Sequence, residues 1–375
     1  MTAAPLLILT QTYPPEPGGM QALMGGLAGA LAAAGHAVTV LADRNRTNLP
    51  EATLPGVALR RFGGPRPWRR WTKFVAARAA LRGGVICDSW KSVGALPAFA
   101  GPVLVLAHGM EFPPDASPAK AARIAAALGR ARWVVASSTF TAGLAARHVD
   151  AARIRVVNPP IAPQPAPRPA DLAAAAALAP GPGPHLLSLS RLEPRKGIDR
   201  VIAALPALLP AHPGIGLIVA GDGPDRPRLA SLADQLGVAA RVRFAGRVTE
   251  GMKAALFQTA TLFAMPTRRE GASVEGFGIV YLEAAWHGLP ALAGAEGGAA
   301  DAVQAGGTGL LVDAADPAAV AAGLATLLSD LPRLRAMGAA AAARVRRDCL
   351  WEAALPRYLA LLGAPSAATA TTSSS

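Results

Sequence analysis

Short apolar runs alternate with helix-forming stretches along nearly the whole chain, and this alternation constrains the fold more than any other feature. Apolar runs of strand length, separated by helical segments, are typical of parallel sheets with crossover helices. In the first half the predicted strands are Leu6–Thr10, Ala37–Ala42, Val57–Phe62, Val85–Asp88, Val103–His108, Trp133–Ser137 and Ile154–Val157. In the second half they are Leu186–Ser190, Gly216–Ala220, Val242–Ala245, Leu262–Met265, Pro290–Ala293 and Gly309–Val312.

A proline-rich segment separates the two halves. Proline fixes φ and removes a hydrogen-bond donor, so we predict a linker over residues 161–184. The predicted domains are residues 1–160 and residues 185–345, each of ordinary domain length. Residues 346–363 are expected to form a helix that returns to the first domain. The Ala/Thr/Ser-rich tail, residues 364–375, is predicted to be disordered.

The predicted fold class is therefore α/β, with two Rossmann-like, doubly wound parallel-sheet domains. Open α/β sheets bind their ligands at the carboxyl ends of the strands. Two such sheets that face each other would form a central cleft. The loops from strand to helix are consequently the places in which we look for functional side chains.

Composition excludes several classes of protein. The 375 residues are 52% hydrophobic and 16% charged, which argues against a disordered chain. The two cysteines, Cys87 and Cys349, cannot form a disulfide framework or a four-ligand zinc site, and they fit a cytoplasmic protein. No basic residue precedes Arg44, so a signal peptide is not expected. The uncharged stretch 17–42 is interrupted by Gly35 and His36, which favours a helix and a strand over a membrane span.

Positive charge is concentrated in the first half. Residues 1–165 hold 18 Lys and Arg against 7 Asp and Glu, whereas residues 166–375 hold 19 against 17. Residues 60–82 contain basic side chains and no acid, and at helical spacing Trp68 and Trp71 fall opposite Arg69 and Lys73. This pattern suits an anionic membrane surface, and it is also compatible with a solvated basic helix whose tryptophans pack inward. Nucleic acid is not expected as a partner, because no recognisable nucleic-acid module accompanies the charge.

Glycines, cations and one histidine occupy the predicted loops. Gly18 and Gly19 follow the first strand and open a helix, where backbone amides can approach a phosphate, although paired glycines also serve plain turns. The dinucleotide Gly-x-Gly-x-x-Gly pattern is missing there, so a nicotinamide enzyme is not expected. His108 ends another strand, which is compatible with either a structural or a functional role. Arg191 and Lys196 could clamp a diphosphate, or they could be solvated loop charges.

The stretch from Glu275 to Glu283 is the most informative. Gly276 and Gly278 fit the start of a helix, whose free amides and dipole attract phosphate. The two carboxylates are eight positions apart, about 12 Å along a helix at ~1.5 Å per residue. They are too distant to share one proton and suit two separate contacts on either side of a diphosphate.

In combination these loops resemble a known family. The motifs, in order, are Arg191…Lys196-Gly197, Gly221-Asp222-Gly223-Pro224, Phe244-Ala245-Gly246 and the pair Glu275 and Glu283. They resemble the retaining GT-B glycosyltransferases of family 4, and the similarity extends from Gly18 to about Trp351. The stretch Val274–Ala284, and Tyr13-Pro14-Pro15 with Gly18-Gly19-Met20-Gln21, look most like the GDP-mannose-dependent phosphatidylinositol mannosyltransferases.

This resemblance implies a role for each candidate residue. Arg191 and Lys196 would bind the donor diphosphate, and Glu283 the ribose hydroxyls. Glu275 and His108 would contact the transferred sugar, His108 also stabilising charge at its anomeric carbon. The remaining donor contacts would come from the backbone, with Arg247 and Val248 at the base, Phe277 and Gly278 at the phosphate, and Gly18 and Gly19 near both the phosphate and the acceptor.

The implied function is retaining transfer of a hexose, with mannose from GDP-mannose as the expected donor, to a lipid or lipid-linked glycan. The family needs no metal and no cofactor. The enzyme would be cytoplasmic and peripheral on the inner face of the cell membrane, bound through residues 60–82. Asp301 stands where the family usually has Glu. Alternatives are a UDP-sugar-dependent transferase in polysaccharide or lipopolysaccharide synthesis, a GT-B epimerase or phosphorylase, and a non-catalytic nucleotide-sugar-binding protein.

Overall fold

A computed structural model describes residues 3–47, 49–51 and 54–363. The chain divides into two compact units, Met1–Ala162 together with Cys349–Ser375, and Pro163–Asp348. The predicted disordered tail, residues 364–375, lies outside the described residues.

The described part of the first unit is built around a parallel sheet whose strands run in the order β3-β2-β1-β4-β5-β6-β7. The strands are β1 (Ala3–Leu9), β2 (His36–Asp43), β3 (Val57–Phe62), β4 (Val85–Cys87), β5 (Val103–Ala107), β6 (Trp133–Ala136) and β7 (Ile154–Val156). The helices are α1 (Gly19–Ala33), α2 (Arg66–Ala80), α3 (Pro118–Gly129), α4 (Thr139–Ala145) and, from the end of the chain, α13 (Trp351–Leu362).

The described part of the second unit repeats this plan with the strand order β10-β9-β8-β11-β12-β13, again parallel. Its strands are β8 (His185–Leu189), β9 (Gly216–Ala220), β10 (Val242–Gly246), β11 (Leu262–Met265), β12 (Ala291–Gly294) and β13 (Gly309–Val312). Its helices are α5 (Pro169–Ala177), α6 (Ile198–Leu208), α7 (Arg226–Gln235), α8 (Glu250–Thr259), α9 (Ile279–Trp286), α10 (Ala299–Ala302), α11 (Pro317–Leu328) and α12 (Leu331–Asp348).

Both strand orders reverse once, between β1 and β4 in the first unit and between β8 and β11 in the second. The loops that follow two such neighbouring strands leave the sheet in opposite directions, which opens a crevice at their carboxyl ends. The predicted fold class of two doubly wound, Rossmann-like domains is confirmed. Every predicted strand is present, and its ends agree to within a few residues.

Apolar side chains from both faces of each sheet form the cores. Leu7, Ile8 and Leu9 of β1 are fully buried, because helices cover the sheet on both sides. From the last helix, α13, Tyr358 and Leu362 lie in the core cluster of the first unit. The helix predicted over residues 346–363 is thus present as α13 in the unit in which the chain begins, but residues 346–348 belong to α12 of the second unit.

The interpretation of residues 161–184 as a linker throughout is wrong at Pro169–Ala177. These residues form α5, which begins with proline at a position where the missing N–H costs no hydrogen bond. Helix α5 packs on α8, and a Cβ added to Gly251 of α8 would lie 2.6 Å from a carboxylate oxygen of Asp171. The alanine-rich segment is therefore part of the second unit.

Helix α2 packs on the first unit with the side that carries Lys73, Ala76 and Ala77. Trp68, Trp71 and Val75 are 59%, 56% and 50% exposed, whereas Lys73 is only 5% exposed. The Nζ atom of Lys73 contacts Asp43 Oδ1 at 2.5 Å and donates to the carbonyl of Thr10 at 2.6 Å. Burial lowers the pKa of Lys73, and hydrogen bonding to Asp43 opposes that effect. The alternative in which the tryptophans pack inward is therefore wrong. Lys73 lies on the side of the helix opposite the tryptophans, as predicted. It is buried there, whereas a basic surface would have left it exposed.

Two glycines with the same backbone conformation test how closely the backbone packs around Gly197, with Gly237 as the control. Gly197 and Gly237 have φ values of +70° and +68°. A Cβ at Gly197 would lie 1.9 Å from the carbonyl oxygen of Pro266, whereas a Cβ at Gly237 would meet nothing within 4 Å. Gly237→Ala should lower the free energy of unfolding by about 1 kcal/mol, the cost of left-handed backbone. Gly197→Ala should cost about 1–3 kcal/mol more because of the clash. Equal losses in urea unfolding would contradict the close approach.

Candidate functional site

The crevice of the second unit is formed by the loops after β8 and β11. Residues 190–197 follow β8, residues 266–278 follow β11, and the two strands are paired neighbours. The amide of Arg268 donates to the carbonyl of Arg195 at 2.9 Å, which holds the two loops together. Side chains far apart in the sequence are thereby brought to one place at the carboxyl edge of the sheet.

Glu275 is the carboxylate on which these loops converge. Its Oε2 atom accepts a hydrogen bond from Arg195 Nη1 at 3.0 Å and forms an ion pair with Lys196 Nζ. The side chains of Arg195 and Glu275 are each 14% exposed, and that of Lys196 is 10% exposed. Burial by itself would raise the pKa of Glu275, but the positive charges of Lys196 and Arg195 outweigh it and lower the pKa. The structure therefore brings the two predicted residues Lys196 and Glu275 into direct contact.

Arg195 is a member of this cluster that the sequence analysis missed. Its Nε atom donates to Glu193 Oε2 at 3.0 Å, so the guanidinium bridges Glu193 and Glu275. Arg191, the predicted cation, pairs with the other oxygen of Glu193 at 3.2 Å, and its side chain is 71% exposed. The sequence offered one signal for Arg195, its position beside Lys196. Both residues lie in the short helical turn Pro194–Lys196, and both side chains reach the same crevice.

The start of α9 is held in a fixed conformation. The helix begins at Ile279, so Glu275 lies in the preceding loop rather than on the helix. Gly278 caps the helix with φ +90°, and a Cβ there would lie 2.5 Å from the ring of Tyr281. The hydroxyl of Tyr281 donates to the carbonyl of Met265 at 2.5 Å, and Phe277 is buried. The predicted phosphate-binding amides of Phe277 and Gly278 thus sit on a rigid support.

Glu283 lies on α9 and contacts a lysine that the sequence analysis did not identify. Lys253 Nζ of α8 lies 2.9 Å from Glu283 Oε1 and 2.7 Å from Glu250 Oε2. Burial would lower the pKa of Lys253, and the two carboxylates raise it overall. The carboxylate proposed to bind ribose hydroxyls is therefore oriented by a charged neighbour.

Arg247 and Val248 follow β10 at the other side of the second sheet. The amide of Gly221 donates to the carbonyl of Gly246 at 2.7 Å, which joins this loop to the one after β9. Arg247 is 86% exposed and its Nε lies 3.7 Å from Asp222 Oδ2, and Val248 is half-buried. Asp301, the departure from the family pattern, lies on α10.

In the first unit a buried carboxylate, Asp88, ties the loop after β1 to the loop after β4. One oxygen accepts from Thr10 Oγ1 at 2.9 Å and from the amide of Gln11 at 2.7 Å. The other accepts from Ser92 Oγ at 2.5 Å. Asp88 is 2% exposed, so these donors replace the water that a carboxylate needs. The sequence analysis placed Asp88 at a strand end without assigning it a role.

His108 is oriented by the same segment. Its Nε2 atom lies 3.0 Å from the carbonyl oxygen of Asp88, and its amide donates to Glu111 Oε1 at 2.7 Å. A carbonyl can only accept, so Nε2 must carry hydrogen, and in the neutral ring Nδ1 is then an acceptor. Gly18, with φ +144°, and Gly19 are exposed at the start of α1 in the same unit.

Two further properties concern the described residues as a whole. No group of three His, Cys, Asp or Glu side chains within residues 3–47, 49–51 and 54–363 is arranged to hold a metal ion. Among the helices in this part of the chain, none has both the length and the apolar character needed to cross a membrane.

Acid should weaken the Glu275 cluster in a defined pH range. Because the pKa of Glu275 is lower in the folded state, its contribution to stability is present above the unfolded value of about 4.3 and is lost as the pH falls through the folded value. Glu275→Gln should lower the free energy of unfolding by roughly 3 kcal/mol at pH 7, because Lys196 loses this carboxylate and Arg195 keeps only Glu193, and by much less near pH 3. Urea unfolding at both pH values measures this difference.

Glu250→Gln provides the control. The side chain of Glu250 is 74% exposed and also pairs with a lysine, so its loss should cost less than about 1 kcal/mol. A Glu275→Gln effect that is the same at pH 7 and pH 3 would contradict the ion-pair account.

Two family models match the chain. The model described as Glycosyltransferase Family 4 matches residues 17–164, and the model described as Glycosyl transferases group 1 matches residues 173–344. Each match falls almost entirely within one of the two compact units.

Curated relatives are similar over part of their length. The chain is 43% identical over 169 residues to the GDP-mannose-dependent alpha-(1-6)-phosphatidylinositol monomannoside mannosyltransferase of Mycobacterium tuberculosis, covering 44% of each chain. It is 42% identical over 165 residues to the corresponding enzyme for the monoacylated lipid in Corynebacterium glutamicum, covering 44% of this chain and 42% of the relative. In both alignments the chain spans less than half the length of the relative.

Solved structures share the fold over nearly the whole chain. Sucrose-phosphate synthase from Thermosynechococcus elongatus superposes with a TM-score of 0.79 at 23% identity, covering 95% of this chain and 98% of that one. WaaG, a glycosyltransferase of lipopolysaccharide biosynthesis, superposes with a TM-score of 0.67 at 20% identity, covering 96% and 100%. Together with the family matches, this confirms the resemblance stated from the motifs: the chain joins a Glycosyltransferase Family 4 domain to a Glycosyl transferases group 1 domain, within the GT-B class of fold.

Proposed function

We propose that the protein is a retaining glycosyltransferase that transfers mannose from GDP-mannose to a lipid or lipid-linked glycan. The observation that carries the proposal is the cluster of Arg195, Lys196 and Glu275 at the crevice of a group 1 glycosyltransferase domain. The names of the relatives, GDP-mannose-dependent mannosyltransferases acting on phosphatidylinositol mannosides, support the choice of donor and acceptor.

The cations of the cluster suit a diphosphate leaving group. As the bond from the sugar to the diphosphate breaks, negative charge grows on the phosphate oxygens, and fixed cations lower the barrier by stabilising it. Lys196 supplies a point charge from a buried position, and Arg191 supplies an exposed guanidinium that can reorient. Glu275 holds the Lys196 side chain in place through Oε2, and by this proposal its other oxygen, Oε1, faces the transferred sugar.

Two other residues complete the proposed donor site. Glu283, held by Lys253, would accept hydrogen bonds from the ribose hydroxyls. His108, with Nε2 committed to the carbonyl of Asp88, would use Nδ1 to accept a hydrogen bond from a hydroxyl of the sugar. The hydrogen bond to the Asp88 carbonyl thus fixes the orientation of the His108 ring.

The first unit is proposed to bind an anionic membrane surface through residues 60–82, at the inner face of the cell membrane. The ring centroids of the two exposed tryptophans of α2 lie 5.2 Å apart, and exposed Arg66, Arg70 and Arg78 lie on the same helix. Each basic side chain near such a surface contributes on the order of 1 kcal/mol, and aromatic side chains favour the interface. This geometry would bring a lipid acceptor to the unit that carries His108.

Lys196→Ala should lower kcat/KM for GDP-mannose roughly ten- to a hundredfold, because it removes a charged hydrogen bond of about 1.5–3 kcal/mol to the donor. The assay follows mannose transfer to a phosphatidylinositol mannoside at subsaturating donor. Arg243→Ala, which removes an exposed cation from β10 of the same unit, is the control and should leave kcat/KM unchanged. Wild-type turnover of Lys196→Ala would refute the clamp. Transfer from UDP-glucose in place of GDP-mannose would refute the assignment of the donor. Tight donor binding without transfer would refute the proposal that the protein is an enzyme.

The transfer is proposed to need no divalent metal, because Lys196, Arg195 and Arg191 offer the charge that a metal would otherwise place on the diphosphate. The initial rate in excess EDTA should stay within a factor of about two of the untreated rate. Dialysed enzyme with added Mg²⁺ or Mn²⁺ serves as the comparison. A rate that is abolished by EDTA and restored by either metal would show that the cations are insufficient.

A further inference from the structure

A strongly basic cavity lies between α2 and the loop after β4 in the first unit. Its volume is about 80 Å³, and Leu9 at the end of β1 forms part of its wall. The charged side chains that line it are Arg66, Arg69, Arg70, Lys73, Lys91 and Asp43. Five cations therefore face one carboxylate.

The single carboxylate does not balance these cations. Asp43 is already paired with Lys73 at 2.5 Å and with Arg69 at 3.0 Å. Arg70 donates from Nε to the carbonyl of Gly94 at 2.6 Å, which positions its guanidinium without neutralising it. Arg66 and Lys91 have no carboxylate partner among the described residues. Like charges this close raise the local positive potential, and an anion in the cavity would relieve it.

A second, larger cavity adjoins the first. Its volume is about 530 Å³, and it is lined by Pro67, Trp71 and Phe74 of α2, together with Gly94 and Arg123. Arg66 and Arg70 line both cavities, so the two adjoin at these side chains. A pocket of concentrated positive charge thus lies beside a groove with aromatic walls.

We propose that the two cavities form one binding site for a single anionic phospholipid. The headgroup phosphate would lie between Arg66, Arg70 and Lys91, and an acyl chain would run along Trp71 and Phe74. The charge complementarity of the small cavity selects an anion, and the apolar groove selects a ligand with a hydrocarbon part next to that anion. The inference rests on the proposed association with an anionic membrane and adds to it a stoichiometric site with defined contacts.

Binding of monomeric short-chain lipids to the full chain tests the site by calorimetry. Dihexanoyl phosphatidylglycerol, below its critical micelle concentration, should bind with a stoichiometry of one. Dihexanoyl phosphatidylcholine, which carries no net charge, and inorganic phosphate, which has no acyl chain, should each bind at least about tenfold more weakly.

Two matched pairs of variants separate the site from general adsorption. Arg66→Gln/Lys91→Gln should weaken phosphatidylglycerol binding tenfold or more. Arg78→Gln/Arg82→Gln removes the same charge from exposed positions outside both cavities and should leave it unchanged. Trp71→Ala should weaken binding severalfold. Trp68→Ala, which removes the neighbouring ring outside the groove, should not. Thermal unfolding of each variant shows whether it is folded.

Each contrary outcome overturns the proposal in a distinct way. Equal weakening of lipid binding by the two double variants would show that the lipid is held only by long-range attraction to the positive charge of the protein. Equal binding of the two lipids would exclude recognition of charge. Binding of inorganic phosphate as tight as that of the lipid would assign the cavity to free phosphate.

Co-sedimentation with vesicles of phosphatidylglycerol separates this inference from the proposed function. Vesicle binding without monomeric lipid binding overturns the site alone. Monomeric binding without vesicle binding overturns membrane association and leaves the lipid site standing.

Discussion

Each unit depends on one buried carboxylate at the point where the order of its strands reverses. In the first unit Asp88 connects the loops after β1 and β4, and in the second Glu275 connects the loops after β8 and β11. Loops that diverge from neighbouring strands have few backbone partners of their own. Asp88 accepts hydrogen bonds from both loops of its crevice, whereas Glu275, in the loop after β11, accepts from two cations of the loop after β8. Each carboxylate thereby ties one loop to the other.

The donors differ between the two units, and this difference supports a structural role for Asp88 and the proposed functional role for Glu275. Asp88 receives hydroxyl and amide hydrogens, which a ligand has little reason to displace. Glu275 receives a lysine and an arginine, which an incoming anion can share. A buried ion pair contributes little net stability beyond what apolar residues of similar size would give. Its presence at a crevice therefore supports the proposed role of Glu275 in ligand binding.

The sequence predicted the strands well and the partners of charged residues poorly. Apolar runs such as Leu186–Leu189 are local signals, because burial on both faces of a parallel sheet requires them. Arg195 and Lys253 were missed because their partners lie 80 and 30 positions away, and only the strand order brings them together. Helix α5 was missed because the prolines on both sides of a short alanine run predict an interruption of regular structure throughout the segment.

Helix α2 shows why periodicity alone could not decide which side faces the protein. A period of 3.6 separates Trp71 from Lys73 but treats both sides as equally able to pack. The decision comes from Asp43 at the end of β2 and from the carbonyl of Thr10, which together receive the Lys73 ammonium. A buried ammonium is costly without such partners, so α2 is fixed in rotation and the tryptophans are left outside.

The same contact joins the outward-facing helix to the loops of the first crevice. Lys73 donates to the carbonyl of Thr10, the hydroxyl of Thr10 donates to Asp88, and the carbonyl of Asp88 accepts from His108. Each link is a hydrogen bond of a buried or half-buried group, so breaking one costs free energy unless another partner takes its place. The position of α2 and the orientation of the His108 ring are therefore connected through one set of contacts, and we expect a shift of the helix to alter the loop that carries His108.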